Sequence, residues 1–166
     1  FLLLKLKIIM NICIIGDGLT SLSLAKNLIN KKINIHFYHK NKIEKLSSTR
    51  TIGISKNNLE FFREEIYEIP KKFFWEIKKI EIYSEKFGKE NLLRFEEDKV
   101  NLFYMVKNNE LYKLLINEIS KNKYFKKNLI KKKNFYEDLI KNNKYDLIIN
   151  CDSGNFLSKK FFTKKI

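Results

Sequence analysis

Gly16-Asp17-Gly18-Leu19-Thr20-Ser21 is the stretch whose residue types and spacing suit chemistry, and that chemistry is the capture of a pyrophosphate. Two glycines one residue apart permit a tight turn and let backbone come close to a phosphate. A helix that opens at such a turn aims its free N–H groups and positive dipole end at the charge. Gly16 and Gly18 hold the first two glycine positions, and Ser21 stands where a third would let the helix pack closely on the strand before it. Serine is small enough to do nearly the same. Gly16, Asp17, Gly18, Leu19, Thr20 and Ser21 are therefore the candidate cofactor contacts of this turn.

Such a turn works only between the right elements. Ile12, Cys13, Ile14 and Ile15 predict a strand over 11–16, an amphipathic pattern predicts a helix over 19–31, and Ile33, Ile35 and Phe37 predict a second strand over 33–39. Strand, glycine turn, helix and strand make the βαβ unit that binds a dinucleotide. An acid is expected at the end of the second strand, about 20 residues beyond the first glycine, to hydrogen-bond the ribose. His39 occupies that place, 23 positions after Gly16, with Lys40 next to it. Two readings of His39 stand: a neutral imidazole accepting one ribose hydrogen bond, or a solvated histidine at a strand end. A ribose 2′-phosphate, as in NADP, would also find His39 and Lys40 attractive, so this position leaves the cofactor open.

Ser48-Thr49-Arg50-Thr51-Ile52-Gly53-Ile54-Ser55 leads into a helical pattern at Asn58-Leu59-Glu60-Phe61-Phe62. Here the chain resembles the flavin-dependent aromatic hydroxylases of the p-hydroxybenzoate hydroxylase type, and among them the hydroxylases of ubiquinone biosynthesis. The resemblance implies that Arg50 reaches the pyrophosphate of FAD, a bidentate task suited to guanidinium. It continues through Leu102-Phe103-Tyr104-Met105-Val106 into Asn109-Glu110-Leu111, with Leu114, Leu115 and Ile119 at core spacing. It ends at Tyr145-Asp146-Leu147-Ile148-Ile149-Asn150-Cys151-Asp152-Ser153-Gly154-Asn155, where the family has a buried strand and then an Asp-Gly motif near the flavin. Asp152 and Asn155 match that motif. Ser153, Phe156 and Lys159 depart from its glycine, serine and arginine, which leaves a plain strand-to-loop turn as the other reading.

The resemblance implies an α/β, Rossmann-like FAD-binding fold with a parallel sheet plus a partial β-meander or second sheet. It implies FAD as cofactor, NAD(P)H as reductant and an aromatic or quinone-like small molecule as substrate. A cytoplasmic location is expected from the reduced cysteines, and a peripheral contact with the inner membrane from the attraction of the basic chain to anionic lipid, which suits a lipid-quinone substrate. It covers nearly all of this chain but only the N-terminal part of the family, so a truncated member is expected and no catalytic residue is assigned. Residues 10–166 are expected to form the FAD-binding domain, with 78–106 giving strands of an incomplete substrate lobe and 1–9 an upstream extension.

A chain of 166 residues suits one cored domain. Its net charge of +15 raises the question of a nucleic-acid or anionic-lipid partner. The lysines are spread along the chain among Asn, Ile, Phe and Tyr, a bias that A/T-rich codons produce, which speaks against nucleic acid. The densest basic stretch includes Lys121, Lys126, Lys127, Lys131, Lys132 and Lys133, interleaved with Tyr124 and Phe125, whose rings suit stacking on bases. A solvated lysine-rich face is its plainer reading.

Cys13 and Cys151 read as buried reduced thiols, and with two histidines they make no zinc pattern. The apolar opening, with Lys5 and Lys7, falls short of the roughly 20 residues of a membrane span. Strands are further predicted at Lys78 to Tyr83, Asn91 to Phe95, Leu102 to Val106 and Asp146 to Asn150, the last buried on both faces, and helices over 56–67 and 109–121. Two functional alternatives remain: an NAD(P)-dependent reductase, for which Tyr67 and Lys71 have a suitable gap but straddle Pro70, and a non-catalytic dinucleotide-binding protein.

Overall fold

In a computed structural model the described residues are 10–40, 50–84, 91–96, 101–131 and 134–162. The expected extension over 1–9, Ser48 and Thr49, and Lys132 and Lys133 lie outside them. Along the chain run β1 (Asn11–Ile15), α1 (Leu19–Asn30), β2 (Asn34–His39), β3 (Thr51–Ile54), α2 (Lys56–Phe61), β4 (Phe74–Ile77) and β5 (Lys79–Tyr83). They are followed by β6 (Asn91–Glu96), β7 (Phe103–Lys107), α3 (Asn108–Ser120), β8 (Phe125–Leu129), α4 (Phe135–Lys141), β9 (Leu147–Asn150) and α5 (Phe156–Phe161). The chain divides into two compact units, Leu46–Leu111 and the segments on either side of it.

The flanking segments build a parallel four-stranded sheet in the order β8-β2-β1-β9. A parallel sheet is stable when both faces are covered. Its centre, β1, meets that demand with Ile12, Cys13, Ile14 and Ile15, none more than 2% exposed. Alternate residues face opposite ways. Cys13 and Ile15 meet Tyr136 and Leu139 of α4 and Leu157 of α5. Ile12 and Ile14 lie beside Ile35 and Phe37 of β2 on the other face. α1 packs back on β1 and β2 through Ser21, Leu22, Ala25 and Ile29, a stripe at helical spacing. Burying Phe37 alone contributes about 1.5–3 kcal/mol. Asn11 clips the start of the sheet: its N–H donates to Asp146 Oδ2 at 2.7 Å and its Oδ1 accepts from Asn34 Nδ2 at 3.1 Å.

The order carries the functional geometry. From β1 the chain moves to β2 and later to β8 on one side, then returns to the other side of β1 as β9. A reversal of that kind opens a crevice at the carboxyl ends of the strands, where ligands of open α/β sheets gather.

Two expectations change here. Leu147-Ile148-Ile149 reads as a strand buried on both faces, yet Leu147 is 48% exposed. β9 is an edge strand, bonded to β1 alone among the described residues, so its apolar run is covered in part. The lysine-rich stretch, read as a solvated face or a surface for stacking on bases, contains β8, and α4 follows it. β8 is the opposite edge and exposes Lys126 and Lys127, charges that discourage another chain from adding to it. Phe125 tilts against Phe37 with ring centroids 5.5 Å apart, so its ring serves the sheet.

In the unit Leu46–Leu111, β3, β7 and β4 form an antiparallel sheet, and β5 pairs with β6 as a separate hairpin. The three middle strands expected from sequence therefore divide, with β7 in the second sheet. β3, directly after Arg50, and β4 are strands that no sequence pattern predicts. Ser55 caps α2, its Oγ accepting the Asn58 N–H at 3.3 Å. The helix expected over 56–67 is α-helical to Phe61 and then widens into a π turn over Phe62–Ile66. Cross-strand register puts Ile80, Ile82, Leu93 and Phe95 on one hairpin face and Lys79, Glu81, Arg94 and Glu96 on the other. There Lys79 pairs with Glu81 at 2.8 Å, and Arg94 with Glu96.

Candidate functional site

β1 ends where its neighbours close over it. The Gly16 N–H donates to the Tyr38 carbonyl at 2.9 Å, and the Cys151 N–H donates to the Ile15 carbonyl at 2.8 Å. Gly16 then turns the chain with φ +125°, a conformation L side chains rarely adopt. A Cβ at Gly16 would lie 3.2 Å from the Cys151 carbonyl carbon. This first glycine is thus required by the fold itself.

Gly18 meets a different need. Its φ of −83° and ψ of 174° suit any residue, and a Cβ there would find nothing within 4 Å. It is the N-cap of α1 and offers no side-chain cap. The first bond of the helix is Leu22 N–H to the Gly18 carbonyl at 3.2 Å, so the N–H groups of Leu19, Thr20 and Ser21 come before any intrahelical partner. The first turn carries no acid, and Gly18 and Thr20 are exposed. Open space and open donors coincide here, which is what a phosphate requires. Ser21, fully buried, donates its hydroxyl to the Gly18 carbonyl at 2.7 Å and does the work expected of a third small residue.

Beside the turn, at the carboxyl ends of β1, β2 and β9, lies a cavity of about 260 Å3 lined by Gly16, Asp17, Tyr38, Lys40, Asp152 and Gly154, among others. The structure thus brings Gly16, Asp17 and Asp152 to one place. His39 is 8% exposed and alternates with Tyr38, on the side of Ile35 and Phe37; its carbonyl accepts the Ile130 N–H at 2.8 Å. The solvated reading of His39 is therefore replaced by a buried one. Its neighbour Lys40 lines the cavity instead, with Nζ 3.4 Å from Asp152 Oδ2 and 5.8 Å from the centroid of the Tyr136 ring. Burial pulls the Lys40 ammonium down, but Tyr136 and Asp152 outweigh it and hold its pKa above the ordinary lysine value.

Asp152 also shapes its own loop. Its Oδ1 accepts the Gly154 N–H at 3.0 Å, its N–H donates to Asn150 Oδ1 at 3.3 Å, and its carbonyl accepts the Ser158 hydroxyl at 2.8 Å. Asn155, 1% exposed, caps α5 by accepting the Ser158 N–H at 3.1 Å and donates to Asn150 Oδ1 at 2.6 Å. Asn150, Asp152, Asn155 and Ser158 thus hold the turn among themselves. Asn150 and Ser158 escaped sequence reasoning because a strand-end amide and a serine inside a helix carry no spacing signature. Arg50 belongs to the other unit, where it is exposed and its carbonyl accepts the Asn108 N–H at 2.9 Å. That unit has its own cavity of about 400 Å3, lined by Lys56, Arg63, Glu68, Phe74 and Tyr104 among others, with none of the expected site residues.

Charge around the turn is mixed. Burial, with Asp17 adding to it, pushes the Tyr112 hydroxyl up to about 12. Burial lowers Lys127 while Asp17 counteracts it. Burial also pushes the Cys13 thiol up to about 12 and raises Cys151; both cysteines are free. On the α4 side, Tyr145 OH lies 2.7 Å from Tyr38 OH and 3.2 Å from His36 Nδ1. Burial lowers the His36 pKa, and the charges of Lys144 and Lys126 lower it further. No helix among the described residues is long and apolar enough to cross a membrane.

No family model matches the sequence, and no curated protein matches it. Solved structures do match. p-Nitrophenol 4-monooxygenase PnpA from Pseudomonas putida superposes with TM-score 0.60 at 9% identity, over 73% of this chain and 32% of that one. PqsL from Pseudomonas aeruginosa, in complex with 2-aminobenzoylacetate, gives 0.58 at 13% identity, over 72% and 33%. HpxO from Klebsiella pneumoniae, complexed with FAD and uric acid, gives 0.54 at 16% identity, over 71% and 30%. The chain spans about a third of the length of these proteins. In fold, this chain is similar to part of the FAD-dependent monooxygenases that act on aromatic compounds.

Proposed function

We propose that this chain is the dinucleotide-binding part of a flavin-dependent oxidoreductase that hydroxylates an aromatic or quinone-like small molecule. The observation that carries the reading is the open N-terminus of α1 at Gly18, beside the crevice where the strand order reverses. Leu19 and Thr20 would hold the pyrophosphate of FAD through their N–H groups, with the buried Ser21 fixing the turn beneath them, and the cavity at Gly16 and Lys40 would receive the adjoining nucleotide. The flavin, when bound, supplies the redox and oxygen chemistry. The protein supplies donors, position and exclusion of water.

FAD is favoured because a neighbour of the same fold was solved with FAD and uric acid. NAD(P)H as the reductant belongs to the proposal on the family resemblance, as does a quinone-precursor substrate; a cytoplasmic location belongs to it on the reduced cysteines, and a peripheral membrane contact on the basic charge. The assignment of Arg50 to the pyrophosphate rests on that resemblance alone. Dialysing the purified chain against FAD and recording its visible spectrum tests the reading. A retained flavin band with a shifted maximum supports it. A colourless protein, with the free FAD spectrum unchanged in its presence, refutes it.

A further inference from the structure

We infer that Lys40 and Asp152 form an ionic strap over the glycine turn that an incoming phosphate must displace, so that Asp152 opposes the dinucleotide instead of binding it. The inference rests on the proposed dinucleotide site. It follows from where the two residues stand. Lys40 comes directly after β2, Asp152 follows β9 with Cys151 between, and β1 lies between those strands. Their contact therefore crosses the end of β1, where Gly16 begins the turn, and all three residues line the same cavity.

The ammonium is the one cation among the described residues lining that cavity, against the carboxylates of Asp17 and Asp152. A phosphate arriving there meets a lysine that already has an anion 3.4 Å away. The pair is open to exchange, since the side chains are 46% and 31% exposed and such pairs hold weakly. The Tyr136 ring, its centroid 5.8 Å from Nζ, is a second contact of the ammonium that does not depend on the carboxylate. Asp152 has a second task that survives exchange, because Oδ1 accepts the Gly154 N–H while Oδ2 faces Lys40. A direct cofactor contact at Asp152 would give the opposite response to its removal.

The experiment is a set of calorimetric titrations of ADP and of FAD into wild type, Asp152→Asn, Lys40→Met and the double variant, at low ionic strength. Asparagine keeps the Oδ1 acceptor for Gly154 and loses the charge. The strap expects Asp152→Asn to bind ADP about three- to fivefold tighter than wild type, the upper part of the range in which an exposed ion pair acts. In the Lys40→Met background that gain should fall below about 1.5-fold, since the partner it releases is gone. Weaker or unchanged binding by Asp152→Asn, with wild type binding, overturns the strap and leaves the dinucleotide site standing. An equal gain in both backgrounds overturns it too, in favour of plain charge repulsion. If no variant binds while far-ultraviolet circular dichroism reports a folded chain, the site and the strap fall together. Asp152→Ser, whose hydroxyl also accepts from Gly154, repeats the measurement should the asparagine variant misfold.

Discussion

Gly16 and Cys151 meet just past the end of the β1–β9 ladder, so closely that a Cβ on Gly16 would sit 3.2 Å from the Cys151 carbonyl carbon. With φ at +125°, alanine at Gly16 meets both strain and crowding. Gly16→Ala should lower stability by about 1–3 kcal/mol. Urea unfolding followed by circular dichroism measures it, and a midpoint equal to wild type would contradict the geometry.

Gly18 should behave in the reverse way. Its backbone suits alanine and its Cβ direction is empty, so Gly18→Ala should cost only the penalty of alanine at an N-cap, about 0.5–1 kcal/mol. The added methyl occupies the approach to the open N–H groups of α1. FAD or ADP affinity should therefore fall by about tenfold or more, roughly 1.4 kcal/mol. The two glycines thus separate what the fold needs from what a ligand needs.

His36 links stability to pH. Burial and the neighbouring Lys144 and Lys126 depress its folded pKa below the ordinary 6.5, so the unfolded chain takes up a proton first as pH falls. Stability from this group is complete above about pH 7.5 and declines as pH drops through the unfolded value near 6.5. The urea midpoint of wild type should fall more between about pH 7.5 and 5.5 than that of His36→Asn. Equal pH dependence in the two proteins would remove His36 from the account.

Two phenylalanines differ in what their loss should cost. Phe37 is fully buried at the centre of the parallel sheet, and Phe37→Ala should destabilise by about 3–5 kcal/mol. Phe95 lies 49% exposed on the apolar face of the β5–β6 hairpin, and Phe95→Ala should stay within about 0.5 kcal/mol. Thermal unfolding of both variants checks the contrast.

The βαβ unit was legible in the residues because three local signals agree there: a continuous apolar run, a glycine turn and a helical stripe ending at Ile29. Ser21 was legible as a small residue at a packing contact, and Asp152 as a residue at a strand's end. Edge position was not legible. Leu147-Ile148-Ile149 has the composition of a central strand, and its place depends on pairings far along the chain. His39 shows a similar limit: spacing located it, while the two-residue alternation of β2 decided which face its side chain took. β4 is four residues long and is held by pairing with β7, a long-range contact that no window of sequence contains.

The most direct measurement is a nuclear magnetic resonance titration of 15N-labelled chain with ADP, following each backbone amide. The largest shifts should fall on Gly18, Leu19, Thr20 and Ser21, where the open donors of α1 are, with Gly16 and Gly154 next. Shifts absent from those amides at saturating ADP, or confined to lysines of β8, would contradict a phosphate site at the glycine turn.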